Sequence, residues 1–152
     1  MKRRRAFPRH IDSLQDMLGW FASTHAGEAP DERSQVVELA LEELFTNMLK
    51  YGRPGTNEVW VEIDELPGGV EVTLIDRDVQ RFDPGAATQP RIDLPLAQRE
   101  PGGLGLHLVR RLVDSLHYEY LAERRESRTC FRVMRSRPPA ASEPEKGHHA
   151  DD

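Results

Sequence analysis

Two runs of alternating residues, joined by a tight turn, constrain this chain more than any other feature. In 58–64, Val59, Val61 and Ile63 alternate with Trp60, Glu62 and Asp64. In 69–76, Val70, Val72 and Leu74 alternate with Glu71, Thr73 and Ile75. Alternation with period two sets an apolar row on one face of each strand. Leu66, Pro67, Gly68 and Gly69 between them form a hairpin turn. A lone hairpin is marginal in water, so the remaining chain must extend this sheet and cover its apolar face.

The neighbouring segments have the pattern for that task. Ile11, Leu14, Leu18 and Phe21 recur at helical spacing and predict a helix over 11–24. After a loop, a stronger helix is expected from Asp31 to about Tyr51, with Val37, Leu41, Leu44, Phe45 and Met48 as its core stripe and Gly52, Pro54 and Gly55 as its stop. Residues 77–103 are rich in Pro, Gly and charge, and so long an irregular stretch in a compact domain suggests a lid or binding loop. A helix over about Gly105–Leu116 follows, then two strands, 117–122 and 129–135, with a turn at Glu123–Ser127. After Arg135 apolar content almost vanishes, which predicts a disordered tail over 136–152; the His148–His149 pair there is too small a cluster to suggest a metal site. The expected order, α-α-β-β-loop-α-β-β, implies an α/β sandwich with a mixed, mostly antiparallel sheet covered by helices on one face.

Composition narrows the function. The 152 residues suit one domain, and a net charge of −5 argues against a general nucleic-acid binder. The basic run Met1–Arg5 reads as a solvated patch. A single cysteine, Cys130, rules out an internal disulfide or a cysteine-only metal site and is expected to pack in a strand. No apolar run approaches membrane-spanning length, and the basic start lacks a following apolar stretch, so a soluble, cytoplasmic protein is expected.

Three features can carry chemistry. Glu43 and Asn47 are four apart, one helical turn from each other, at the margin of the apolar stripe beside Val36, Ala40 and Tyr51. Carboxylate and carboxamide oxygens there suit Mg²⁺ or a hydroxyl, although such a pair can equally cap a loop or face water. Asp76 ends a strand where a loop begins, and it can accept a hydrogen bond from a ligand or simply serve the turn. Gly102, Gly103, Leu104 and Gly105 put three glycines at the mouth of a helix. They bring N–H groups to a phosphate or merely make the turn. They fit neither common phosphate loop: Leu108 stands where a dinucleotide motif needs its last glycine, and no Gly-Lys-Ser/Thr occurs.

Taken in order, "ELALEELFTNMLKYG", "VTLIDRDVQRFDP" and "PGGLGLHLVRRLVDSL" resemble the ATPase superfamily of DNA gyrase, histidine kinases and MutL mismatch-repair proteins. Within it, the sequence is most similar to the small anti-sigma-factor serine/threonine kinases, over about Phe7–Met134. The resemblance implies a histidine-kinase-like ATPase domain over 1–135 that holds ATP and Mg²⁺ between helices and a lid over 81–101. It places Glu43 as catalytic base, Asn47 as the Mg²⁺ ligand, Asp76 as reader of the adenine amino group, and Gly103 and Gly105, within the Gly102–Gly105 stretch that includes Leu104, on the phosphates. It further implies a homodimer that phosphorylates a STAS-domain anti-anti-sigma partner and sequesters a sigma factor, with no direct nucleic-acid or membrane contact. No phosphoacceptor-histidine helix precedes the motifs, which points away from an ordinary histidine kinase.

One position departs from the pattern. The family's middle motif has glycine two residues after the aspartate, where this chain has Asp78, and Phe82 falls one residue late. A catalytically weak or inactive module of the same fold, acting through protein contacts, is therefore the competing expectation. A purely structural domain would leave the coincidence of the three motifs unexplained. Asp78→Gly removes a carboxylate near the expected phosphates and restores access to positive φ. It is expected to tighten ATP binding measured by calorimetry; unchanged or weaker binding would show that the carboxylate is accommodated.

Overall fold

The computed structural model describes residues 2–24, 31–51, 58–77 and 103–134. Asp78, Gly102, the expected lid over 81–101, the glycine and proline stop after Tyr51 and the tail from 136 lie outside the described residues. The elements are β1 (Lys2–Phe7), α1 (Ser13–Ser23), α2 (Glu32–Tyr51), β2 (Val59–Leu66), β3 (Gly69–Asp76), α3 (Gly103–Leu112), β4 (Ser115–Leu121) and β5 (Glu126–Met134).

The five strands form one sheet in the order β1-β2-β3-β5-β4, and every neighbouring pair is antiparallel. The expected alternation sets the register: Val61 stands opposite Leu74, and Val72 opposite Phe131. Phe7, Val59, Val61, Ile63, Val70, Val72, Leu74, Phe131 and Val133 form one continuous core with Met17 and Phe21 of α1, Val37, Leu41, Leu44, Phe45 and Met48 of α2, and Leu106 and Val109 of α3. The α/β sandwich with helices over one apolar face is thus as expected, and among the described residues the sheet is antiparallel throughout.

The N-terminal strand was not anticipated. The basic run is an edge strand in which Lys2 Nζ and Arg4 Nε lie 3.1 and 3.8 Å from the Glu62 carboxylate. Arg4 also stacks over Trp60 at 4.4 Å. An edge strand needs a ladder on one side only, and charge along it discourages further pairing, so a basic run is compatible with a strand there. The first helix begins later than its periodicity suggests. Ile11 is 51 % exposed, whereas Ser13, Met17 and Phe21 form the buried row. Pro8 and His10 shape the entry turn: the Pro8 carbonyl accepts from His10 N and from Ser13 Oγ, and the His10 carbonyl accepts from Ser13 N.

Asp31 caps α2. Its Oδ1 accepts from Ser34 N at 2.8 Å while Ser34 Oγ accepts from Asp31 N at 3.0 Å, a reciprocal arrangement that satisfies free N-terminal donors. The last helix starts at Gly103 and ends at Leu112 instead of reaching Leu116. Asp114 stops it by turning to the sheet: its N–H donates to the Arg132 carbonyl and its Oδ2 accepts from Met134 N. Cys130 is free and half-buried on the sheet, and burial pushes its thiol pKa up.

Phe45 is fully buried at the centre of the helix–sheet contact. Phe45→Ala is expected to cost about 3–5 kcal/mol, the usual cost of truncating a core phenylalanine, read as a lower denaturant midpoint with little change in slope.

Candidate functional site

The middle and last turns of α2 carry the first two predicted site residues. Asn47 is only 4 % exposed, and its Nδ2 donates to the Glu43 carbonyl at 2.8 Å. That bond commits the amide nitrogen, so Oδ1 is the atom left to face a ligand. Glu43 is half-buried, as its place at the edge of the apolar stripe predicts. Burial, reinforced by Glu42 and opposed by Lys50, raises the pKa of its carboxyl.

The third helix comes to meet this pair. It opens at Gly103 and packs along α2. The Glu43 carboxylate lies so close to Gly105 that a methyl group on that residue would overlap it. Only a residue without Cβ lets the acid reach the first turn of α3, where unpaired N–H groups and the positive end of the helix dipole favour an anion. Leu104 behaves differently, with its side chain 47 % exposed, so any part it plays in the site comes from its backbone. Gly102 lies outside the described residues.

Asp76 occupies the last position of β3, where both Ile75 and Asp76 are buried. Its Oδ2 receives a hydrogen bond and ion pair from Arg9 Nη1, and Arg9 Nη2 donates to the Met48 carbonyl at 2.8 Å. One guanidinium thus ties the end of the sheet to the turn of α2 that holds Asn47. Among the described residues, Oδ1 of Asp76 is buried and has no hydrogen-bond partner. Burial raises the pKa of this carboxyl, and Arg9 pulls against the rise. The chain just beyond is anchored: Arg77 Nε and Arg128 Nε donate to the two oxygens of buried Glu126 at 3.1 and 3.0 Å. Burial works against ionising Glu126, but the two arginines outweigh it and hold its pKa below the usual range.

Arg9 is the site residue that sequence reasoning missed. It follows four basic residues near the N-terminus, and nothing in spacing separates it from them. Its one local signal is Pro8, which ends the strand and sets the turn from which Arg9 points inward.

These groups suit a nucleotide. A buried oxygen without a donor calls for a ligand N–H, a glycine-opened helix N-terminus accepts phosphate, and a carboxamide oxygen suits Mg²⁺ completed by phosphate and water. Among the described residues no group of three or more His, Cys, Asp or Glu is placed to hold a metal ion. No helix among the described residues is long and apolar enough to cross a membrane.

The family model for the histidine kinase-like ATPase domain matches residues 6–133, from the end of β1 to the end of β5. No curated protein matches the sequence.

Gly105→Ala separates the glycine's chemical role from its structural one. Alanine favours a helix interior over glycine by about 1 kcal/mol, and the group it would displace is the mobile end of Glu43. The variant is expected to melt no lower than wild type while losing nucleotide affinity in calorimetry. Wild-type affinity in a folded variant would show that the close approach has no function.

Proposed function

On the premise that this chain belongs to the histidine kinase-like ATPase family, we propose that it is a Mg-ATP-dependent serine/threonine protein kinase of the anti-sigma-factor type. Its substrate would be a STAS-domain anti-anti-sigma protein, and it would also sequester a sigma factor, working as a homodimer. The observation that carries this reading is the Glu43 carboxylate held against Gly105 at the mouth of α3, one turn from Asn47.

Bound Mg-ATP supplies the electrophilic phosphorus and the leaving group. The first turn of α3 would offer N–H groups to the phosphates, Asn47 would hold the ion through Oδ1, and Asp76 Oδ1 would accept from the base. Glu43 takes the proton from the partner's hydroxyl as its oxygen bonds to the γ-phosphorus and the bond to ADP breaks. A base with a raised pKa suits this task, because proton transfer is most efficient from a group poised nearer the working pH. The sign follows: Glu43 works ionised, so transfer should fall as pH drops through its raised pKa. Phosphoryl transfer depends mainly on positioning and charge stabilisation, which a glycine-opened helix end and an oriented carboxamide supply.

A second reading has one observation behind it. Asp78 in the family's glycine position favours a module that binds its partner without phosphorylating it.

Two variants test the division of labour. Asn47→Ala should abolish the Mg²⁺ dependence of ATP binding in calorimetry. Glu43→Ala should retain Mg-ATP but slow transfer of labelled phosphate to a STAS-domain protein from the same source by about 10²–10⁴-fold, the usual worth of a positioned base. Equal loss of ATP affinity in both would contradict these roles, and a wild type that binds ATP and partner without transfer would favour the second reading.

A further inference from the structure

The Arg9–Asp76 pair has the burial of a structural ion pair without its completeness. The two side chains are 7 % and 4 % exposed. A buried carboxylate held only for stability would have both oxygens satisfied. Here Arg9 engages Oδ2 alone, its other amine is committed to the Met48 carbonyl, and among the described residues Oδ1 is left buried without a side-chain or geometrically aligned donor. The pair is therefore polarised: one end of the carboxylate is fixed as an acceptor from the protein, and the other is presented as an acceptor to whatever enters.

We infer that Arg9 is the positioning residue that decides which purine the site accepts, by keeping the free oxygen of Asp76 an acceptor so that a 6-amino purine is bound and a 6-oxo purine rejected. This rests on the nucleotide reading above. A guanidinium is the right group for the purpose. It has donors and no acceptor and does not lose its proton in proteins, so it can never meet a protonated Oδ2. Any proton that Asp76 gains must sit on Oδ1, where it would turn the acceptor into a donor aimed at the base. Among the described residues Arg9 is the charged side chain acting on Asp76. From β5 the residue paired with Asp76 is Ser127, α2 contributes the Met48 carbonyl that Arg9 also holds, and the Arg77 side chain is turned to Glu126. Without Arg9, burial is opposed only by the Arg77 backbone N–H and pushes the pKa higher still.

The test compares ATP with inosine triphosphate, which carries oxygen in place of the amino group at purine position 6. Both are titrated by calorimetry with Mg²⁺ from mildly acidic to mildly alkaline pH. Wild type should prefer ATP by about 10–100-fold, the range for one charge-assisted hydrogen bond. Arg9→Met should weaken that preference, most at the acidic end of the range, and regain it as pH rises and Asp76 loses its proton. Arg9→Lys, which keeps a donor without an acceptor, should retain the preference with weaker binding of both ligands. Asp76→Asn gives an independent readout. With Arg9 in place the new carboxamide must turn its oxygen to the guanidinium and present its NH₂ to the base, so the preference should invert toward inosine triphosphate. Wild type binding neither triphosphate removes the nucleotide reading and this inference with it. Wild type that prefers ATP, with Arg9→Met keeping that ratio at every pH or Asp76→Asn failing to gain inosine triphosphate, overturns the inference alone.

Discussion

The contact of α2 with the sheet is the constraint from which the rest of the site follows. Val37, Leu41, Leu44, Phe45 and Met48 lie in the core, so the helix cannot rotate about its axis without exposing several large apolar groups, each worth about 1.5–3 kcal/mol when buried. With the apolar row pinned, the margin of the helix is pinned as well. Glu43 and Asn47 sit on that margin, where they are removed from much of the water but not sealed into the core. A polar pair in such a place is costly unless something meets it; Glu43 meets the first turn of α3, and the Asn47 amide donates back to the Glu43 carbonyl.

Arg9 and Gly105 are complementary devices. Gly105 brings two elements together by what it lacks, since the absence of a side chain lets a carboxylate reach a helix end. Arg9 brings two elements together by what it has, a planar fork whose arms reach a side-chain oxygen on β3 and a main-chain oxygen on α2. Both contacts converge on α2 within two turns of helix. The buried Glu126 with Arg77 and Arg128 performs a related service just outside the site, holding the chain as it leaves Asp76. Three arginines thus act on two buried acids with opposite results. Glu126 has both oxygens engaged and its pKa is lowered, whereas Asp76 has one oxygen engaged and its pKa remains raised.

Much of this was legible in the residues themselves. The hairpin from Val59 to Asp76 follows from alternation, and its register in the structure pairs the rows as that alternation requires. The marginal position of Glu43 and Asn47 follows from helical spacing, and their half-buried and buried states agree with it. Periodicity failed where two faces competed. In α1, the expected row of Ile11, Leu14, Leu18 and Phe21 held at Phe21 and in part at Leu14 and Leu18, but packing against the sheet left Ile11 exposed and buried Met17 instead. It failed again at β1, where charge hid a strand because cross-strand partners such as Glu62 and Trp60 lie far away in sequence. The end of α3 was misjudged because the cap that stops it, Asp114 on the backbone of β5, is a tertiary contact.

By itself the sequence determined the β2–β3 hairpin, the α2 helix with its buried face, and the residue types expected to hold a nucleotide, because alternation, helical spacing and side-chain chemistry are local properties. Tertiary structure decided what those residues touch. That Asp76 keeps one oxygen unpartnered among the described residues, that Arg9 is its counter-ion, and that Gly105 admits Glu43 depend on groups brought together across as many as 67 positions of chain. Pairings over such separations leave no periodic trace in a single sequence. They are set by the one way the helices can cover the apolar face of the sheet, and the polar groups at the margins take whatever neighbours that packing provides.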